Sequence, residues 1–392
     1  MSIRKTDFIL NLENAPKSPL QIGAIKCATN KEIINLGTAE NSLTNDILLP
    51  LIQQRPYLNA HSLTYSASFA PEQLTNAIAE LFHDYFGIED AKGNQIVIGS
   101  GIAFLVEKIA LVLCEPGDIV LIPSPCYGCF EPDMQQSRVK VVYIDLDNLP
   151  EKPPENSKLL LLTNPGNPYG DEIKDQDKLL KWAYQNPDLH IISDEVYALS
   201  NRKGKKFQSI AGRKDALPDR VHMFYGVSKD WGMAGYHVGF FWSRNEELVK
   251  YLRLACGCFT LSSDTSAIIS HVIGTKSIRD NFIKTFRERL IRAYDISTKM
   301  FKDAGITVRE CDNSLFYVID LSDIAGESIE KELEFWELLM DKYNVHILPL
   351  ASGFHSNHPG HYRVCFSISD EKLIEGINRI CQAVNDARNK QK

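Results

Sequence analysis

Several polar stations in this chain each follow a short apolar run, and their types suit one kind of chemistry. Gly99–Ser100–Gly101 opens a helix-forming stretch from Ile102 to Cys114. Successive backbone N–H groups at a helix start, with the positive end of its dipole, suit a phosphate. The turn is also half of a dinucleotide fingerprint, but position 104 is Phe where that pattern needs Gly. SPCYGCF places Tyr127 just beyond Ile119–Ile122, where its ring is either packing or a stacking surface for a planar group. NPGNPYG follows Leu159–Thr163; proline has no N–H for a ladder, so this loop is rigid and fixes Asn164 and Asn167. Leu189–Ser193 ends at Asp194, with Tyr197 three residues on, and a carboxylate at a buried strand end is costly unless paired. Val221–Tyr225 leads into Ser228 and Lys229, which puts an ammonium where the same sheet edge delivers it.

The elements that position these groups are legible from the apolar pattern. Strand-like runs fall at 95–98, 119–122, 139–144, 159–163, 189–193, 221–225 and 237–242, with helical patterns between several of them, including 71–86, 102–114 and 175–185. Short, continuously apolar strands alternating with helices predict an α/β fold whose mostly parallel sheet is covered on both faces. In such sheets ligands bind beyond the carboxyl ends of the strands, where all the residues above fall. After about residue 280 the texture changes. A long charged helix (281–305) leads into a smaller α/β unit with strands at 315–320, 345–348 and 362–367 and a last helix at 371–388. Residues 1–50 read as irregular. The expected organisation is a large domain over 50–280 and a small domain made of 1–49 and 281–392.

Composition narrows the class. The chain has 392 residues, 44% apolar and 24% charged, the balance of an ordinary globular protein. A net charge of −7 argues against a nucleic-acid surface, which draws on a basic excess. No apolar run approaches the ~18–20 residues of a membrane span, and the first residues carry no secretion pattern. The nine cysteines fit reduced thiols in a cytoplasmic protein. Cys126/Cys129 and Cys256/Cys258 form close pairs, but they lie far apart with no matching histidine spacing, so no metal is expected.

A phosphate cradle, a flat aromatic, an amide, a strand-end carboxylate with its tyrosine, and a lysine together suit pyridoxal 5′-phosphate. The lysine amine bonds the cofactor's aldehyde. The carboxylate keeps the pyridine nitrogen protonated, so that the ring accepts electrons from a carbanion.

INLGTAEN (34–41), IPSPCYGCF (122–130), TNPGNPYG (163–170), SDEVY (193–197), YGVSKDWGMAGYHVGF (225–240) and HYRVCFSIS (361–369) follow one another. In this order they resemble the motifs of fold type I pyridoxal-phosphate enzymes of the class I aminotransferase family, and most of all its 1-aminocyclopropane-1-carboxylate synthase group. The resemblance spans nearly the whole chain and implies an aspartate aminotransferase-like fold with a seven-stranded sheet and a smaller α/β domain. It implies that Lys229 is the Schiff-base lysine and α-proton base, that Asp194 pairs with the pyridinium nitrogen, and that Tyr197 and Asn167 bond the phenolic oxygen. Tyr127 would stack on the ring, and Tyr65 would reach the phosphate of the neighbouring subunit in a homodimer. Arg363 would clamp the substrate carboxylate in a bidentate fork, with Ala39, Glu40 and Asn167 bordering the substrate. Three positions depart from the family pattern: His237 stands where an Arg is normal, Gly226 where a Ser is usual, and Ala103 where a Thr is common. Phosphate binding then leans on the turn at Gly101, the N–H groups of Ile102 and Ala103, Ser228, His237 and Tyr65.

The implied activity is that of an enzyme acting on an α-amino acid through an external aldimine and a quinonoid, an aminotransferase. The alternative is a lyase or cyclase of the synthase type, working by β- or γ-elimination or ring closure. Glu40, retained where the synthase group has Glu, favours the alternative; family frequency favours transamination. A third possibility is a non-catalytic relative with a weakened phosphate site. Substrate side-chain specificity is expected to lie with residues near 15–30 and Trp231.

Overall fold

The computed structural model describes residues 17–54, 60–64, 71–257 and 259–391. Tyr65 and Cys258 therefore lie outside the described residues. In chain order the strands are β1 (Ile34–Asn35), β2 (Ile96–Gly99), β3 (Ile119–Pro123), β4 (Lys140–Ile144), β5 (Ser157–Thr163), β6 (His190–Asp194), β7 (Val221–Gly226), β8 (Gly239–Trp242), β9 (Thr307–Arg309), β10 (Phe316–Asp320), β11 (Val345–His346), β12 (Leu348–Pro349) and β13 (His361–Cys365).

Seven of them form the main sheet, in the order β2-β8-β7-β6-β5-β3-β4. Neighbours from β7 to β4 run parallel, and β8 lies antiparallel to both β2 and β7. The period-2 alternation of a strand divides its apolar residues between two cores. Leu160, Leu162, Ile191, Met223 and Phe240 join the helices Glu72–Phe86, Gln176–Ala183 and Ser263–Gly274 on one face. Leu159, Leu161, Ile192, Phe224 and Phe241 join the helices Gly101–Leu113 and Glu246–Cys256 on the other. Both faces are buried, which explains why these strands read as unbroken apolar runs; each such side chain stabilises the fold by about 1.5–3 kcal/mol.

The helix Lys276–Asp303 leads out of this sheet. Near its start the buried Arg279 donates to Asp84 at 2.6 Å, a tie to the helix Glu72–Phe86. Beyond it β12-β13-β10-β9 form an antiparallel sheet, and β1 pairs in parallel with β11. No helix among the described residues is long and apolar enough to cross a membrane.

Some expectations need correction. The stretch expected to be irregular holds the helices Pro19–Thr29 and Asn45–Gln54. Ser18 and Gln21 form a capping box with Pro19 in the first turn, a position where proline's fixed φ and missing N–H do no harm. The run 345–348 is two strands rather than one, with β11 serving β1 and β12 serving β13. The strand expected from 237 starts at Gly239, because His237 sits in the left-handed region at φ 50°.

Candidate active site

All the sheet's contributions meet at its carboxyl edge. Lys229 lies in the turn after β7, half-buried, and its Nζ donates to Ala39 O at 2.8 Å. Burial, and then Arg363, hold its pKa below the usual lysine value, while Cys365, Glu40 and Asp194 act the other way. Asp194 closes β6, and among the described residues its side chain takes one hydrogen bond, from Val196 N to Oδ1 at 3.3 Å. Burial lifts its pKa to about 7, against the pull of that bond and of Lys229. Tyr197 is buried three residues on, edge-to-face on Phe316 at 5.2 Å. The neighbouring Glu195 serves the scaffold, accepting from Ile210 N at 3.1 Å.

Arg363, on β13, is buried under two rings, Phe316 at 4.6 Å and Phe354 at 4.8 Å from its guanidinium carbon. Nη1 donates to Asn167 Oδ1 at 2.8 Å and Nη2 to Gly37 O at 2.5 Å, while Nε has no partner among the described residues. Burial lowers its pKa, and no carboxylate is among the groups that oppose this. A desolvated cation without an anion is an unfavourable arrangement that a ligand carboxylate relieves. Because Arg363 takes Oδ1 of Asn167, the amide's Nδ2 is left as a donor.

The segment 36–43 joins these groups largely through its main chain. Leu36 O accepts from Cys365 N (2.7 Å), Glu40 O from Ser367 Oγ (2.6 Å), and Asn41 Nδ2 donates to Asp230 O (2.9 Å). Ala39 is buried within it and the Glu40 side chain is exposed.

The expected phosphate cradle lies at the same edge. Gly101 has φ 83°, with open space where a Cβ would point, and the helix it opens has no side-chain N-cap. Gly239 permits this approach: a Cβ there would come within 2.7 Å of Gly101 C and Ile102 N. Ala103 and His237 are exposed, whereas Ile102 and Ser228 are half-buried. The departure at Gly226 has a physical reason, since a Cβ would meet Val238 O at 2.9 Å. Tyr127 is half-buried, edge-to-face with Phe130 at 5.4 Å, and burial raises its hydroxyl pKa.

Sequence reasoning missed Asn41, Asp230, Phe316 and Phe354. Asp230 Oδ2 accepts from Leu199 N at 2.9 Å and from Tyr225 OH at 3.2 Å, while Oδ1 has no partner among the described residues. Its place directly after Lys229, in an otherwise apolar stretch, was the available signal. Trp231 is not at the substrate mouth: it is fully buried and stacks on Phe282 at 4.6 Å. The eight described cysteines are free thiols, and among the described residues no three His, Cys, Asp or Glu side chains gather as metal ligands.

The residues present fit pyridoxal phosphate. An uncapped helix start with room above Gly101 matches a phosphate, a buried carboxyl with one backbone donor matches a protonated ring nitrogen, and Lys229 supplies the amine.

Solved structures define the fold first. The chain superposes on the aspartate aminotransferase of Rhizobium meliloti with a TM-score of 0.82 at 20% identity, covering 98% of this chain and 99% of that one. N-succinyldiaminopimelate aminotransferase from Mycobacterium tuberculosis gives a TM-score of 0.80 at 19% identity, covering 94% and 100%. The fold is thus aspartate aminotransferase-like. In sequence, 1-aminocyclopropane-1-carboxylate synthase 7 of Arabidopsis thaliana is 28% identical across 91% of this chain and 88% of its own length. The synthase of Nicotiana tabacum is 27% identical across 88% and 77%. The family profile "Aminotransferase class I and II" matches residues 31–380. The chain belongs to that family of pyridoxal-phosphate-dependent enzymes, whose members act on amino acids and are commonly dimers.

Proposed function

We propose that this chain binds pyridoxal phosphate and acts on an α-amino acid as an aminotransferase. The observation that carries the reading is the meeting, at one sheet edge, of Lys229, the buried Asp194 and a guanidinium at Arg363 that no carboxylate pairs among the described residues. The bound cofactor supplies an aldehyde and an electron-accepting ring.

The N–H groups at Gly101, Ile102 and Ala103, with Ser228, His237 and the neighbouring subunit's copy of Tyr65, hold the phosphate. Asp194 holds the proton of the ring nitrogen. Tyr197 and the Nδ2 of Asn167 would donate to the phenolic oxygen, and Tyr127 would lie against the ring. Lys229 Nζ would hold the cofactor at its aldehyde carbon, and its amine would take and return the proton at the substrate's Cα; its lowered pKa enlarges the fraction of free amine for this role. Arg363 orients the α-carboxylate, and Ala39 and Glu40 border the substrate.

The division into 50–280 and 1–49 with 281–392 belongs to this reading, and the β1–β11 pairing supports it. So does a homodimer: Leu254 and Phe259 are 63% and 64% exposed, and the Phe259 ring lies 5.6 Å from Phe104. The free thiols support a cytoplasmic, reducing location.

Borohydride reduction followed by peptide mass analysis tests the cofactor's attachment; a pyridoxyl group on Lys229 is expected, and its absence refutes the reading. Incubation with amino acids then separates the reactions. Dependence on a keto acid marks transamination, whereas ammonia or thiol release without one marks the lyase or cyclase alternative, which the synthase likeness and Glu40 favour.

A further inference from the structure

The turn that carries Lys229 is tied to two other parts of the site through the residue that follows it. Asp230 is fully buried. Its side chain reaches the turn after β6, where Oδ2 accepts from Leu199 N at 2.9 Å. Leu199 lies two residues beyond Tyr197, and its carbonyl accepts from Arg287 Nε at 2.7 Å, so the main chain there is held at both polar groups. Ser200 N returns to Tyr197 O at 3.1 Å, which closes the turn on the tyrosine. The same oxygen of Asp230 accepts from Tyr225 OH at 3.2 Å, and that hydroxyl accepts from Trp231 Nε1 at 3.0 Å. On the other side, Asp230 O accepts from Asn41 Nδ2 at 2.9 Å. The segment 36–43 lies so close to the lysine's turn that a Cβ on Gly232 would fall 2.4 Å from Asn41 O. That segment also offers Ala39 O to Lys229 Nζ.

Resting on the function proposed above, we infer that Asp230 is a positioning residue of this site: it fixes the lysine's turn against the tyrosine's turn and against the segment 36–43. These three pieces are remote in sequence, and each presents a group to cofactor or substrate. Leu199 is fully buried, so removing its acceptor leaves a buried N–H unpaired, which costs more than an ordinary hydrogen bond contributes. The turn then has to move to find another partner. Movement of Tyr197 weakens the bond that it donates to the cofactor's phenolic oxygen. A donated hydrogen bond favours the charged form of an oxygen. With that bond weakened, the phenolic oxygen and the lysine-linked nitrogen hold the proton they share more tightly. The pH at which the cofactor's absorbance titrates therefore reads the placement of Tyr197, not the stability of the fold.

The test is a pH titration of the holoenzyme's visible absorbance, made after the borohydride-trapped adduct at Lys229 has been checked in the wild type. Asp230→Asn removes the charge and keeps an oxygen acceptor. Asp230→Leu removes both at similar volume, and Asp230→Ala does so without bulk, should Leu crowd the site. All three lose the charge, so the difference of Leu or Ala from Asn reads the hydrogen bonds alone. Full loss of a hydrogen bond to a charged oxygen shifts a titration by about one to two pH units. Displacement is a partial loss, so the midpoint in Asp230→Leu and Asp230→Ala is expected at least about half a unit above that in Asp230→Asn. Leu252→Ala, fully buried in the helix Glu246–Cys256, which supplies no residue to the site, controls for lost stability. Its Tm is expected to fall while its midpoint stays at the wild-type value. A midpoint in the Leu and Ala variants equal to that of Asn overturns this inference alone. A Leu252→Ala midpoint displaced as far as theirs does the same. Absence of the adduct overturns the proposed function and the inference with it.

Discussion

Replacing Asp230 by Asn isolates the electrostatic cost of the buried acid beside Lys229. In the fold its Oδ2 accepts from Leu199 N and Tyr225 OH, and Oδ1 has no partner among the described residues. Burial raises the carboxyl pKa from 3.8 to about 7, with those two bonds and Arg287 opposing it. A carboxyl whose pKa is higher in the fold binds its proton more tightly there. Its stabilising contribution is fully present below about pH 3.8 and is lost as pH rises through about 7. A difference of about three pH units corresponds to about 4 kcal/mol. Asn keeps an oxygen acceptor for Leu199 N and Tyr225 OH, puts an amide where the unpartnered oxygen stood, and cannot ionise. The stability of Asp230→Asn relative to wild type is therefore expected to climb by about 4 kcal/mol between about pH 4 and pH 8. Urea unfolding of the cofactor-free protein at a series of pH values measures it, since bound cofactor adds its own stabilisation. Parallel curves for the two proteins would refute the reasoning: Asp230 would then be ionised in the fold at no cost.

Arg363→Met removes two charge-assisted hydrogen bonds worth about 1.5–3 kcal/mol each, but also a buried cation whose desolvation costs several kcal/mol. Unfolding free energy is expected to move by less than about 2 kcal/mol, while amino-acid affinity in a spectral titration falls at least about 100-fold; a stability loss above about 4 kcal/mol would make Arg363 a scaffold residue. Gly226→Ser drives a Cβ to 2.9 Å from Val238 O, and denaturant midpoints are expected to register a loss of about 1–3 kcal/mol. His346 is fully buried, and burial followed by Arg363 lowers its pKa from 6.5 to about 3. Its neutral form is favoured in the fold, so stability is complete above about pH 6.5 and is lost as pH falls toward 3. His346→Asn should flatten that acid limb in a pH series of thermal melts; an unchanged limb counts against it.

The sheet was legible because burial on both faces leaves unbroken apolar runs such as Leu159–Leu162. Strand direction was less so: β8 is as apolar as the parallel strands of the sheet, and only the short return from β7 through His237 makes it antiparallel. The two N-terminal helices escaped because prolines and asparagines read as breakers, although Ser18, Pro19 and Gln21 are a helix start. At the site, Lys229 and Asp194 could be read from their places at strand ends. Asn41, Phe316 and Phe354 could not, because their roles depend on partners remote in sequence, and Asp230 offered only its place after Lys229. Asn41 lies 189 residues from Asp230, and neither aromatic shows from sequence that it flanks Arg363.

The segment 36–43 engages the rest of the site largely through carbonyl oxygens, with Gly37 O on Arg363, Ala39 O on Lys229 and Glu40 O on Ser367. Contacts of that kind are blind to side-chain identity. The outward-facing position 40 can therefore drift across descendants of this chain, trying new neighbours for incoming molecules, while the lysine and arginine stay anchored. The liberty ends at Gly37, where a Cβ would fall 2.3 Å from the His346 ring; there even a methyl group would dislodge the frame on which such tinkering depends.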